Sequence, residues 1–497
     1  MENFEVVIVG GGLGGLACGV MLSKEGMKVC VLEQHSQIGG CLQSFYRRGR
    51  VLDTGMHYVG SLQPGQILHQ YFKYFGVIDR LRLQQLNPEA YDIIVAANGS
   101  RYCYANGEER FAARLIEYFP EEKAGIRKYC NLLKKVGSLI SPEVLRSGHI
   151  SNGGLEYMNV LAYDVINSCT QNETLRNVLA GTVSLHSGDR ERTSFYEHGM
   201  IMYSYMESAY RFKDGSQHVA DALADEIRKY GGEVRLNAKV TGVEIKNSRV
   251  REIRINGHEP VSAKYVISDI HPAGMLDLLE GEKVIRPAYC RHIHSLPNSY
   301  GCFTTHILMK PGKTPYANSN YYFHNRPDAW SSQGDYKGCN IPVILLSMQP
   351  PKEGAYADAV SLLTPMFPQI FGAWSDTEIG KRGEAYEALK KQYAGAMMDC
   401  VSRLFPEMEA QIEAVYTSTP LTYRDYTSTQ NGSAYGIVKD CRNALLSRIP
   451  VRMKIENLYF TGQNMNVHGC LGVCASAAVT CSALLGEEYL VKKIGNA

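Results

Sequence analysis

Hydrophobic positions change their period several times along the chain, and each change predicts an element. Phe4 to Val9 is a compact β-prone run, Leu16 to Leu22 is apolar at helical spacing, and Val29, Val31 and Leu32 form a second strand-like run. Apolar spacing then predicts helices over Leu68–Phe75, Arg110–Tyr118, Lys123–Ile140 and Leu175–Leu185. Arg101–Tyr104, between turn signals at Gly99 and Asn106-Gly107, reads as a hairpin strand. Gln217–Tyr230 is an amphipathic helix stopped by Gly231-Gly232. Strand-like runs follow at Glu233–Leu236, Val240–Ile245 and Val250–Ile255, and Tyr265–Ser268 leads into Asp269. Cys302–Met309 and Val343–Met348 are expected in a second sheet, and Glu384–Phe405 as a long helix. Near the end, Asn457–Phe460 runs as a strand into Thr461-Gly462, and small residues predict a closely packed helix over Leu471–Leu485.

The first strand and helix are joined by a glycine cluster, and here the pattern acquires chemistry. Gly10, Gly12 and Gly15, with Leu13 and Gly14 between them, stand at GxGxxG spacing after a strand and before a helix. The first glycine permits a tight turn, the second lets backbone approach a pyrophosphate, and the third lets helix pack close to strand. The helix N-terminus then faces the phosphates. Glu33 ends the second strand, placed to accept hydrogen bonds from a ribose 2′-hydroxyl. This block is expected to hold the ADP half of a dinucleotide.

Composition narrows the partners. The chain has 497 residues, 45% hydrophobic and 21% charged, enough for two or three domains and a large core. A formal net charge of +2 gives no reason to expect nucleic acid, and Arg47, Arg48 and Arg50 read as a solvated loop. The chain runs straight into a strand without a secretory pattern, and no apolar run is long enough to span a bilayer, so a cytoplasmic location is expected. Fourteen cysteines then read as free thiols, and without a CxxC pair no metal site is expected.

Downstream, Glu33 leads to Gly39-Gly40, Ser44-Phe45 and Asp53-Thr54-Gly55. With these residues the chain resembles the FAD-binding amine oxidase and phytoene desaturase superfamily. Asp53 to Gly60, DTGMHYVG, looks most like its retinol saturase and carotenoid isomerase branch. The resemblance implies an α/β fold: a Rossmann-type FAD-binding domain of the glutathione reductase and amine oxidase kind, interrupted by an α+β substrate domain. The FAD-binding pieces would be 1–75, 210–275 and 440–497, and the substrate or cap pieces 76–209 and 276–439. It implies FAD contacts from Gly10, Gly12, Leu13, Gly14, Gly15, Glu33 and Gln34, and from Gly40, Cys41, Leu42, Gly55, Met56 and His57. Val240 would set backbone against the adenine, and Gly462, Gln463, Gly469, Leu471 and Gly472 would form the C-terminal FAD motif, in which a helix N-terminus points at the flavin. Two positions depart from the family. Cys41 stands where many members have an arginine near the FAD phosphates, and Lys213-Asp214-Gly215-Ser216 replaces a proline and glycine loop.

The function implied is an FAD-dependent oxidoreductase acting on carbon–carbon double or single bonds of a long apolar substrate such as a polyene, by saturation, desaturation or isomerisation. No second GxGxxG is present, so the electron donor is not identified, and neither is the oligomeric state. His57, Tyr58 and His468 are the candidate proton donors or acceptors, each with hydrogen bonding or packing as the plainer role. Tyr196, Met200, Tyr203 and Tyr435 are the candidate substrate wall, with ordinary core as the alternative for the Met- and Tyr-rich stretch and a satisfied core role favoured for His198. Met366 to Trp374 is an apolar, proline-broken segment that reads either as a buried loop with a short helix or as a dip into a bilayer interface. An apolar substrate also implies peripheral contact with the cytoplasmic face of a membrane. Two other functions stay open: an FAD-dependent amine oxidase, and a prenyl- or lipid-binding protein of the GDP-dissociation-inhibitor type that carries no flavin.

Overall fold

The computed structural model describes residues 2–147, 154–330 and 337–497. Its first sheet is built around β1 (Glu2–Val9), which runs parallel to β2 (Val29–Leu32) on one side and to Val261–Ser268 on the other. Glu233–Arg235 extends the sheet beyond β2, and Leu458–Phe460 pairs in parallel with Val261–Ser268. Five parallel strands from three distant stretches of sequence thus lie side by side. The buried pattern of β1 and β2 is nearly continuous, as strands covered on both faces require. One face is covered by α1 (Leu13–Lys24), Gln217–Lys229 and Gly469–Leu485. The other carries Val240–Lys246 and Arg249–Ile255, an antiparallel pair continuing into Val261–Ser268.

A second sheet of seven strands stands over the first. Its order is Ile412–Ser418, Gly301–Met309, Ala359–Met366, Val343–Met348, Asn320–His324, Asp92–Val95 and Arg101–Tyr104. The long helix Gly383–Ser402 packs on one face through Tyr386, Tyr393 and Met397. A helical layer including Lys123–Gly137 and Phe195–Glu207 forms a separate core around Tyr129, Phe195 and Met202.

Three sequence expectations take a different form. The helix expected over Leu175–Leu185 stops at Leu179, and a single 3-10 turn follows at Val183–Leu185. Gly181 falls in the break, where an added Cβ would lie 2.7 Å from the Ile94 side chain, so tertiary packing ends the helix. The helix from Lys123 is regular only to Gly137, which presses on the Tyr203 ring, before tightening into a 3-10 turn over Ser138–Ile140. Met366 to Trp374 is part of the fold: Met366 ends a strand, Pro368–Trp374 is a short 3-10 segment, and Phe371 is fully buried. The Phe371 ring stacks on Phe303 and meets Tyr386 edge-on.

Replacing Phe371 by Ala is expected to lower unfolding free energy by about 3–5 kcal/mol, measured by urea denaturation. A segment that belonged to a bilayer interface would lose less than about 1 kcal/mol in the same experiment.

Candidate flavin site

One large cavity runs between the two sheets, bounded at one end by the glycine loop. Gly12, with no side chain, caps α1, and the Gly15 N–H of the first turn is directed at the Asp269 carboxyl, so the Leu13 and Gly14 N–H groups are the ones left to an outside acceptor. The loop is held from three sides. The Gly11 N–H donates to Glu33 Oε2 at 2.9 Å, and the His35 N–H donates to Oε1 at 2.9 Å. A Cβ on Gly14 would lie 2.3 Å from Asp269 Oδ1 and 2.9 Å from the Gly462 Cα, and one on Gly15 would lie 2.1 Å from the Gly10 carbonyl. Only glycine fits these positions. Glu33 is buried and forms part of the cavity wall, which leaves carboxylate lone pairs for a ribose hydroxyl.

The wall contains Gly10, Gly12, Leu13, Gly14, Glu33 and Gln34 from the first block, and Gly40, Cys41, Leu42, Gly55, Met56 and His57 from the second. Val240 belongs to it, as do Gln463, Gly469, Leu471 and Gly472. Gly15 and Gly462 lie outside the wall, as the close packing beneath the loop. Burial pushes the Cys41 thiol up to about 11, so this side chain is neutral. The helix Gly469–Leu485 begins at the cavity, again with no side-chain cap. A glycine cradle, two helix N-termini at the cavity and a carboxylate at the end of β2 make a set of groups that fits a dinucleotide carrying a flavin.

The three candidate proton carriers all line the cavity, but their polar atoms differ in how fully they are used. The Tyr58 hydroxyl donates to Asp92 Oδ2 at 2.9 Å and lies 2.6 Å from the Tyr322 hydroxyl. Burial, then Asp92, holds Tyr58 well above the ordinary phenol range, while burial pushes Asp92 up to about 7. His468 has Nδ1 at 3.2 Å from Glu197 Oε1 and Nε2 at 3.1 Å from the Leu185 carbonyl. Both its nitrogens therefore face acceptors, and its ring stacks on Tyr435 with centroids 4.2 Å apart. His57 is different. Its buried Nε2 has no hydrogen-bond partner, and burial, then Arg211, holds the ring down to about 4, so it is neutral near pH 7.

Of the expected substrate wall, Met200 and Tyr435 line the cavity, whereas Tyr196 and Tyr203 do not. The helix Phe195–Glu207 presents Met200, Ile201, Ser204 and Tyr205 to the cavity. Tyr203 is turned toward Gly137, and the Tyr196 hydroxyl accepts from Asn466 Nδ2. His198 is a core residue, bonded to Tyr129 and His186. Tyr205, in the Met- and Tyr-rich stretch, lines the cavity; sequence reasoning missed Tyr423 and the site role of Asp269, which lines the cavity directly after its strand. The signal for Asp269 was its place beyond the last residue of a parallel strand, where open α/β sheets bind ligands.

The fold and cradle define a dinucleotide-binding flavoprotein oxidoreductase. The family model described as flavin containing amine oxidoreductase matches residues 13–312, and the chain belongs to that family. FAD is its cofactor. Among curated proteins, the chain is 27% identical to all-trans-retinol 13,14-reductase of Homo sapiens, over 97% of this chain and 86% of that protein. It is 21% identical to 4,4'-diapolycopene oxygenase of Methylomonas sp, over 99% and 98%. Among solved structures, cyclohexylamine oxidase from Brevibacterium oxydans IH-35A superposes with a TM-score of 0.61 at 14% identity, covering 97% of this chain and 100% of that one, which establishes the shared fold.

Replacing Glu33 by Ala removes the acceptor of the Gly11 and His35 N–H groups together with the side chain expected to meet the ribose. FAD affinity of the reconstituted protein, followed by flavin fluorescence, is expected to fall ten- to a hundredfold, the equivalent of about 1.5–3 kcal/mol for a hydrogen bond to a charged group. Unchanged affinity would remove Glu33 from the site.

Proposed function

We propose that the protein exchanges hydride between FAD and a carbon–carbon bond of a long apolar polyene of the retinoid or carotenoid kind, with saturation as the favoured direction. The observation that carries this reading is the lining of the cavity beyond the cradle. Its carboxylate and ammonium groups are Glu33, Lys239 and Asp269, and the rest of the described lining is apolar, aromatic or uncharged. Met200, Ile201, Tyr205, Leu345 and Leu363 give an extended hydrocarbon a wall it can be buried against, whereas an alkylammonium substrate would find no carboxylate there. The similarity to retinol reductases and a diapolycopene oxygenase, across nearly the whole chain, supports the same substrate class.

Bound FAD supplies the hydride acceptor or donor. The chain supplies the rest. Met200 and Tyr205 exclude water and orient the polyene. Tyr58 and His468 act as positioning residues, since their polar atoms are already engaged. Among the described residues of the cavity wall, His57 Nε2, Gln430 Oε1 and Ser433 Oγ are buried without a hydrogen-bond partner, and His57 contacts substrate or cofactor as a neutral imidazole. The division into FAD-binding pieces 1–75, 210–275 and 440–497 and cap pieces 76–209 and 276–439 belongs to this reading. So does peripheral membrane contact to collect an apolar substrate: no helix among the described residues is long and apolar enough to cross a membrane.

The test is the visible spectrum of the purified protein, reduced anaerobically and then mixed with all-trans-retinol or a carotene. Reoxidation of the flavin by the polyene, with a product two hydrogens heavier, is the expected result. A flavin reoxidised only by oxygen, with peroxide released on feeding an amine, would replace this reading by amine oxidation. His57→Gln is expected to lower the polyene-dependent reoxidation rate at least tenfold while the flavin stays bound.

A further inference from the structure

The glycine loop meets an acid at the point where a phosphate-binding site would ordinarily avoid one. Asp269 follows the strand Val261–Ser268, and its carboxyl is wedged among glycines. Cβ atoms built on Gly12, Gly14 and Gly462 would lie 2.7, 2.3 and 2.3 Å from its oxygens. The backbone N–H groups of Gly12 and Gly15 are directed at it, and its side chain forms part of the cavity wall. A pyrophosphate resting on this loop must come close to that carboxyl.

We propose that Asp269 is protonated when FAD is bound, so that docking of the pyrophosphate draws one proton from solution onto this side chain. The proposal rests on FAD being the ligand and not on which substrate is used. An ionised carboxylate beside a doubly charged pyrophosphate in a poorly solvated pocket is strongly unfavourable. A neutral carboxyl removes that repulsion and can donate to a phosphate oxygen. Deprotonation is already hard without cofactor: burial, then Glu33, pushes Asp269 up to about 7 against the two N–H bonds that favour its anion.

Among the described residues no cation bears on Asp269, although the Lys239 ammonium lines the same cavity. The charged group bearing on Asp269 is Glu33, from the end of β2. Gly12, Gly14 and Gly15 of the loop, Gly462 of the C-terminal segment and the neighbouring Ile270 contribute no side-chain charge. His271, two residues on, is turned to its own helix: its Nδ1 accepts the Ala273 N–H, its Nε2 lies 3.0 Å from Asn298 Oδ1, and burial holds it down to about 4. Asp269 is therefore the carboxyl among the loop glycines that answers to the arriving phosphates; the Cys41 thiol that faces it is neutral, and His35, His57 and His468 line the cavity elsewhere.

The sign follows. The group's pKa rises from about 7 in the free protein to a higher value beside the phosphates. Below pH 6 the proton is already present in both states and binding takes up almost none. Above 7 binding must capture it, and affinity falls up to tenfold per pH unit until the higher value is passed. Isothermal calorimetry of flavin-stripped protein with FAD, at pH 8 in buffers of different ionisation enthalpy, should show close to one proton taken up per FAD, and much less at pH 6. ADP-ribose, which keeps the pyrophosphate diester and lacks the flavin, should show the same uptake. Asp269→Asn, which keeps an acceptor for the two N–H groups, should abolish the uptake and bind FAD at least tenfold more tightly than the unaltered protein at pH 8. FAD binding without proton uptake at pH 8 overturns the proposal, and this count on the unaltered protein decides even if the variant does not fold. Failure to bind FAD at any pH overturns the cofactor assignment itself.

Discussion

The structure depends on three glycine-bearing or acid-bearing segments being allowed to touch. Gly10–Gly15 leave β1, Asp269 leaves a strand more than half the chain away, and Gly462 follows the last strand, Leu458–Phe460. All three strands are parallel neighbours or next neighbours in one sheet. Their ends converge, and the space between them has no room for a Cβ at Gly14 or Gly15, while Gly462 also adopts φ +86°. Close approach here also lets α1 lie against Gly469–Leu485, whose facing residues are small: the Cys18 thiol reaches the Ala477 carbonyl and the Thr461 hydroxyl. The sheet, the helix pair over it and the mouth of the cavity are three consequences of the same missing methyl groups.

That explains what was legible in the sequence. The first forty residues declared their role because every part of the argument is local: a turn needing glycine, a helix whose N-terminus starts at that turn, and an acid at the end of the next strand. The C-terminal motif was legible for the same reason. The second sheet was only half visible. Ala359–Met366 is buried at all eight positions and so shows no alternation, and Ile412–Ser418 is partly exposed throughout, so its sides look alike. Their partners are set by pairing to Gly301–Met309, a tertiary fact with no local mark. Likewise composition marked the helix Phe195–Glu207 as a wall. The side that faces the cavity was decided by Val136 and Gly137 of the neighbouring helix, which take Gly199 and Tyr203.

Hydrogen-bond accounting separates side chains that share a cavity but not a role. Tyr58 belongs to a network that continues from Asp92 to Asn320, which donates at 2.8 Å, and on to the fully buried Arg211. Arg211 also donates to the Ser319 carbonyl and the Tyr316 hydroxyl. It stands on Ala209–Phe212, which pairs with Val59–Gly60, so the network ties the second sheet to the strand next to the cavity. Removing one member would leave buried polar groups unpaired, and loss of activity would then report on architecture. His57 Nε2 carries no such debt, which is why its effect on turnover is interpretable.

The electrostatics of the cradle reduce to a shortage of positive charge. The cradle has carboxyls from Glu33 and Asp269, a neutral thiol at Cys41 and, among the described residues, no cation acting on Asp269. Both Glu33 oxygens are held by backbone N–H groups, those of Gly11 and His35. The Asp269 carboxyl instead lies among the loop glycines themselves. A helix N-terminus offers roughly half a positive charge, about 0.3–2 kcal/mol in favourable geometry, which cannot offset two phosphate charges and a second carboxylate together. Of the charges in conflict, only the proton on Asp269 is adjustable at neutral pH. A neutral thiol at position 41 and an acid at position 269 are thus compatible with bound phosphates only if the acid is neutral in the bound state.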